Sequence, residues 1–294
     1  MAFHDGLAAH LATATTTTCH AWAITRRDGQ VLGFTDHDRD LSFDGRTFRA
    51  DSGLSAMALQ QGTGLAVDNS EALGALTDAA ISEAEIDAGR FDGAEVTAWI
   101  VNWANVDERQ MLFRGTIGEM RRAGGAFQAE LRGLAEALNQ PTGRVYQKPC
   151  DAVLGNAACG VDLSDPGYSV TAAVATIEER QRLTLPRLED FAPGWFTRGR
   201  LTVLSGTAEG LTGTIKRDLI EEAHRTVDLW QALRAPIEPG DTVRLEAGCD
   251  KRFETCRFKF ANTLNFQGFP DIPGDDWLTI MPARTGQTGG GSRR

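Results

Sequence analysis

Four cysteines constrain this chain more than any other residues it holds. Cys150 and Cys159 stand in KPCDAVLGNAACG with eight residues between them, and Cys249 and Cys256 stand in GCDKRFETCRFKF with six. About ninety residues separate the two pairs. Each pair lies beside glycines or other turn formers, which reads as four thiolates gathered from distant chain onto one inorganic centre. A thiolate is a soft, charge-bearing ligand, and four of them can hold one tetrahedral zinc or an iron–sulfur cluster. Structural zinc sites usually take cysteines roughly two to four residues apart, whereas the wider gaps here suit the separated corners of a cube. Spacing alone leaves open zinc, a [4Fe–4S] cluster, two local disulfides (Cys150–Cys159 and Cys249–Cys256) in an oxidising setting, and four buried free thiols. Cys19, the fifth cysteine, precedes a predicted strand and reads as a core or surface thiol.

The surroundings of the pairs fit an anionic centre. Lys251, Arg252, Arg257 and Lys259 would offset part of the negative charge of a four-thiolate cluster and tune its potential; by themselves they also read as a solvated charged face. Gly155, Gly160 and Gly248 permit close backbone approach or positive φ. Pro149 fixes the direction from which the chain reaches Cys150.

With 294 residues, the chain can bury one large core or two to three smaller ones. Hydrophobic residues make up 41% and charged residues 24%, as in an ordinary folded protein. No apolar run is long enough to cross a bilayer. The start, MAFHDGLAAHLATATTTT, lacks the basic region and continuous apolar core of a secretory signal, so synthesis in the cytoplasm and no membrane anchor are expected. Forty acidic residues against thirty basic ones give a net charge of −10, which argues against a dedicated DNA binder. It is compatible with a channel through which DNA slides without sticking.

In chain order, residues 2–14 predict an amphipathic helix ended by the threonine run Thr15 to Thr18. From Ala21 the apolar period changes to two: AWAIT, a turn over Arg27 to Gln30, and VLGFT. Asp44-Gly45 between LSF and RTFRA is a strong hairpin signal. The intervening Thr35-Asp36-His37-Asp38-Arg39-Asp40 reads as a polar loop whose aspartates cap turns and pair with Arg39, rather than as a metal or acid–base site. Residues 55–70 predict extended chain, with Asn69 or Ser70 and Glu71 capping a transition to helix. Ser82 to Ala88 predicts a helix. AEVTAWIVNWAN predicts a strand with Val96, Ala98 and Ile100 on one face and Thr97, Trp99 and Val101 on the other. Two or three further strands follow, broken at Gly124-Gly125, and a short helix from Leu134 to Asn139. Between the cysteine pairs, YSVTAAVATI, GRLTVLSG, LTGTIKRDL, RTVDLWQAL and DTVRL predict about five strands, enough for a small closed or partly open barrel. The polar, glycine-rich end from Ala283 is expected to be flexible.

The C-x8-C and C-x6-C pairs, the ending CRFKFANTLNFQGFPDIPGDDW and the earlier GFTDHDRDLSFDGRTFRA together resemble a family of phage tail proteins: the tail-tip hubs of lambda-like siphophages, and in particular the hub of gene transfer agents, phage-like particles built by alphaproteobacteria. The likeness covers most of the chain. It implies that Cys150, Cys159, Cys249 and Cys256 are the ligands of a [4Fe–4S] cluster, with zinc the lesser alternative. The expected fold is mainly β (α+β), with an N-terminal β-rich hub domain over residues 1–145. An iron–sulfur domain follows over 146–166 with 246–282, a small β-barrel is inserted at 167–245, and a flexible tail covers 283–294.

The function that the resemblance implies is structural. A homotrimer of hubs would link the distal tail protein ring to the terminal tail-tip or fibre protein, with a tail cell-wall peptidase as a further partner and DNA only passing through the channel. Trp99, Trp103, Phe266, Phe269 and Trp277 are candidate contact residues, or else domain core. The alternative is an iron–sulfur redox protein or electron carrier, which would need a second cofactor motif or a pocket of placed acids and bases. A cell-wall hydrolase is a third class. No H-E-x-x-H, paired catalytic carboxylates or Cys/His nucleophile pattern stands out, and a non-enzyme is expected.

Overall fold

The computed structural model describes residues 4–50, 55–56, 69–75, 82–123, 126–133, 143–221 and 223–272. The chain divides into two compact units, Met1–Thr142 and Gly143–Arg294. No helix among the described residues is long and apolar enough to cross a membrane.

The first unit opens with helix α1 (Asp5–Leu11), capped where the His4 ring accepts from the Leu7 amide and anchored by buried Leu7. Strand β1 (Thr18–Thr25) then turns back antiparallel into β2 (Val31–Thr35). The hairpin of β3 (Leu41–Phe43) and β4 (Arg46–Phe48) turns at Asp44 and Gly45, with φ of 52° and 69°. Two successive positive φ values are what a tight two-residue hairpin turn requires, and Asp-Gly supplies them at low cost. A glycine is also required at 33, because a Cβ there would lie 2.3 Å from the Thr47 carbonyl oxygen where β2 meets β4.

The remaining strands are β5 (Ser55–Ala56), β6 (Asn69–Ala75), β7 (Glu95–Asn102), β8 (Arg109–Ala123) and β9 (Ala126–Gly133). With the first two they form one sheet in the order β2-β1-β7-β8-β9-β6-β5. The alternation read for β7 is realised. Val96 and Ala98 pack with Trp22, Ile24, Phe34 and Phe113, while Trp99 and Val101 pack with Cys19, Ala21, Phe43 and Phe48. Both faces are therefore covered. Helix α2 (Glu83–Asp87) starts where Ser82 accepts from the Glu85 amide, as its sequence predicts.

The sequence expectation at Asn69 to Glu71 fails. Asn69, Ser70 and Glu71 do not cap a helix but begin β6, which pairs with β9 from Asn69↔Arg132 to Ala75↔Ala126. A cap is a local preference of about 1 kcal/mol, and a full-length strand partner overrides it. The predicted helix at Leu134 to Asn139, Trp277 and the tail from Ala283 lie outside the described residues.

The second unit holds β10 (Ser169–Ala173), β11 (Thr176–Glu178), β12 (Arg182–Pro186), β13 (Arg200–Val203), β14 (Thr212–Glu221), β15 (His224–Leu229) and β16 (Thr242–Glu246). Their order is β10-β16-β13-β14-β15-β12-β11. Leu183, Leu185, Leu201, Ile215, Val227, Leu229, Val243 and Leu245 are fully buried and form its apolar face. Of the closed or partly open barrel that the sequence predicts, the pairing does not give the closed form: the order is open, running from β10 to β11. Those end strands are successive segments, and at the break the Val174 amide donates to Asp241 while the Ala175 amide donates to Thr184. The stretch predicted as one strand thus changes partners midway and curls the sheet. Strand β12, RLTLP, was absent from the sequence expectation.

Beneath this sheet Arg225 and Asp218 form a completely buried pair at 2.7 Å. The guanidinium also donates to the carbonyls of Leu188 at 3.2 Å, Phe191 at 3.0 Å and Ala192 at 2.7 Å. Asp218 accepts from the Phe196 amide at 2.9 Å. The pair so fixes the 187–196 loop, which reaches the cysteines.

Candidate metal centre

The sheet of the second unit begins just after Cys159 and ends just before Cys249, so its first and last strands carry the two cysteine segments to one end. Helix α3 (Phe253–Phe258) follows with Cys256 buried on it, and a short 3-10 turn occupies Thr263–Asn265. Cys150, Cys159, Cys249 and Cys256 all line one cavity, together with Leu154, Val161, Phe260 and Phe266. Lys251 and Arg252 are in the same wall, and none of the lining residues is acidic. All five cysteines are free thiols, so neither local disulfide is formed.

Local chemistry shapes each ligand loop. The Cys159 amide donates to the Asn156 side chain at 2.8 Å, and Gly155 and Gly160 take φ of 80° and 70° to make the tight bend. Gly248 serves close approach: a Cβ there would stand 1.7 Å from the Thr197 carbonyl oxygen. Its amide donates to the Trp195 carbonyl at 3.0 Å, which joins the Arg225-held loop to the residue before Cys249.

Two stitches join the remote segments. The Cys150 amide donates to the Lys251 carbonyl at 2.9 Å, the Lys251 amide donates to Cys249 Sγ at 3.4 Å, and Lys251 Nζ donates to the Ala152 carbonyl. Lys251 holds φ at 67° to do this. Asn262 joins the other two: its amide donates to the Cys256 carbonyl at 3.0 Å, and its Nδ2 donates to the Cys159 carbonyl at 2.5 Å.

Burial raises the Cys256 thiol to about 11, reinforced by the neighbouring sulfurs of Cys159, Cys249 and Cys150. Cys249 is raised as well, by burial, against the opposing Lys251 amide and charge. The Cys256 thiol donates to the Asn262 carbonyl at 3.1 Å. Metal ligation replaces such protons and releases them. Among the described residues no three His, Cys, Asp or Glu side chains converge closely enough for one metal ion.

The basic residues divide. Lys251 and Arg252 face the cavity, whereas Arg257 lies over the ring of exposed Phe258, 5.2 Å from its centroid. Lys259 turns away to the carbonyls of Trp195 at 2.5 Å and Gly248 at 2.8 Å. Burial lowers its ammonium to about 8, against the attraction of Cys249, Asp218 and Asp250. Asn262 carried no signal in the sequence reading.

Elsewhere, the aspartate loop behaves as a polar loop. Asp36 accepts from the His20 amide at 2.6 Å and from its ring at 2.9 Å, and Asp40 accepts from the Ala50 amide at 2.9 Å. The expected pairing with Arg39 is not among its contacts. Of the candidate contact aromatics, Trp99 is core, Trp103 is 43% exposed, and Phe266 and Phe269 are half-buried.

Residues 4–162 match the family described as "Baseplate hub protein, N-terminal attachment domain". The chain belongs to this baseplate hub family. Residues 194–276 of the hub match a second family, described as "Phage conserved hypothetical protein BR0599". A chain in a solved structure titled "Virion of native gene transfer agent (GTA) particle" is 51% identical to the hub, with a TM-score of 0.91, over 98% of the hub and 99% of that chain. No curated protein sequence matches it.

Proposed function

We propose that this hub is a structural, non-enzymatic subunit of the tail tip of a virion-like particle, held in shape by a [4Fe–4S] cluster on Cys150, Cys159, Cys249 and Cys256. The observation that carries the reading is that four thiols from segments about ninety residues apart line one cavity in a chain of a baseplate hub family. Two cations and no carboxylate in the lining suit an anionic guest. When bound, the cluster would supply four iron–thiolate bonds that cross-link the segments. In the same reading residues 167–245 are a module inserted between the two halves of the cluster domain. Three copies surround the DNA channel and join the distal tail ring to the terminal tip protein.

The test is anaerobic purification with iron, sulfide and zinc analysis. About four irons and about four sulfides per chain are expected. One zinc without sulfide, or no metal at all, refutes the cluster. In particle-producing cells Cys249→Ala is expected to abolish assembled particles, and normal gene-transfer titre from that variant refutes the structural role.

A further inference from the structure

Of the two stitches across the cysteine site, the one through Asn262 reaches a ligand sulfur with its side chain. Asn262 Nδ2 lies 3.8 Å from Cys159 Sγ while it donates to the Cys159 carbonyl. Its orientation is fixed by a neighbour, because Asn262 Oδ1 accepts from Asn265 Nδ2 at 2.7 Å. With the oxygen so engaged, the amide nitrogen must face Cys159. The Asn262 amide meanwhile donates to the Cys256 carbonyl, a bond that ligation leaves intact, while the Asn262 carbonyl accepts from the Cys256 thiol only until that proton is displaced. One residue therefore holds ligands drawn from positions 159 and 256.

We infer that Asn262 is a positioning residue of the centre, which locks Cys159 against Cys256 and raises the centre's reduction potential through its side-chain N–H beside the Cys159 sulfur. The inference rests on the [4Fe–4S] reading given above. A reduced cluster carries one more electron, part of it on the ligand sulfurs. A donor N–H aimed at such a sulfur stabilises the reduced form more than the oxidised one. The Lys251 amide does the same for Cys249, but it belongs to the backbone and no side-chain substitution removes it. Asn262→Leu keeps the branched side-chain skeleton and the backbone bond from the Asn262 amide to the Cys256 carbonyl while removing the donor.

The experiment compares the full chain and its Asn262→Leu variant, both purified anaerobically. It reads iron and sulfide content and an EPR-monitored redox titration. The variant is expected to keep its cluster and to titrate about 59 mV lower, the one-electron equivalent of a tenfold loss in stabilisation of the reduced form. A cluster-bearing variant with an unmoved potential overturns the inference while leaving the cluster reading intact. If Asn262→Leu loads no cluster, Asn265→Ala is titrated in its place, since it frees the Asn262 amide without deleting it. A smaller fall then supports the inference, and an unmoved potential overturns it. Wild-type protein without iron and sulfide overturns the cluster reading, and this inference with it.

Discussion

Cys19 shows how burial alone silences a thiol. It is 7% exposed and donates to the Val101 carbonyl across β1 and β7. Burial raises it to about 11, only partly opposed by a hydrogen bond with Thr35. At pH 8 about one molecule in a thousand then carries the thiolate, the nucleophilic form. Native protein is expected to leave Cys19 unlabelled by iodoacetamide at pH 8, with the labelling rate rising about tenfold per pH unit toward 11; mass spectrometry of the digested protein checks this, and rapid labelling at pH 8 contradicts it. Of the core and surface positions that the sequence leaves open for Cys19, the structure gives the core. Lys259 is the contrary case. Its charge and nearness to Cys256 suggest a counter-ion, but side-chain direction is set by tertiary packing, and the carbonyls of Gly248 and of Trp195, the latter remote in sequence, claim it.

At the scale of elements, the second sheet is tied by arginines that reach across strands. Burial tends to raise Asp228, but hydrogen bonds from Arg182 on β12 and Arg217 on β14 outweigh it and hold the carboxyl below its ordinary 3.8. A carboxyl lowered on folding adds stability that is fully present above the unfolded value and is lost as pH falls through the lower folded value. Asp228→Asn is expected to cost about 1–2 kcal/mol near neutrality and to flatten the loss of stability below pH 4, as read by urea melts across pH. Arg225 is held more deeply. Arg225→Met is expected to cost about 3–5 kcal/mol, because it leaves Asp218 charged in the core without its counter-ion, with the Phe196 amide as a remaining donor. Adding Asp218→Asn should recover part of that loss, and urea melts of the three variants measure it.

Local signals disclosed some of these elements and hid others. The hairpins at Arg27 to Gln30 and at Asp44-Gly45 were legible because turn chemistry and apolar period agree within a few residues. β12 has the right alternation but is short and ends in Pro186, so its identity comes from pairing with β15, some forty residues later. The Arg225 network has no local signature, since its carbonyl partners lie 33 to 38 residues away. The four cysteines stood out because few other roles explain two spaced pairs. The Lys251 and Asn262 stitches did not, because hydrogen bonds to backbone leave no pattern in composition.

At the scale of the whole molecule the two units differ in what they depend on. In the first, β1 and β7 are covered on both faces by side chains of the same unit. The second, in the proposed reading, also carries a cross-link closing a loop of about ninety residues, a constraint of the kind that contributes roughly 4–5 kcal/mol by loop-closure entropy. Removing iron with a chelator is expected to lower hydrogen-exchange protection in β10 to β16 and leave that in β1 to β9 unchanged. A uniform loss across both units would contradict this.

The placement of the ligands also has a direction in time. Cys150 and Cys159 leave the ribosome before any strand of the second sheet, and Cys249 and Cys256 only after the last one. A chain cut short anywhere within that sheet carries half a ligand set, so in the proposed reading it cannot close the centre. Loading iron and sulfide then reports that synthesis has passed Cys256. A particle whose tip admits only loaded hubs would be proofread, subunit by subunit, before its tail is built.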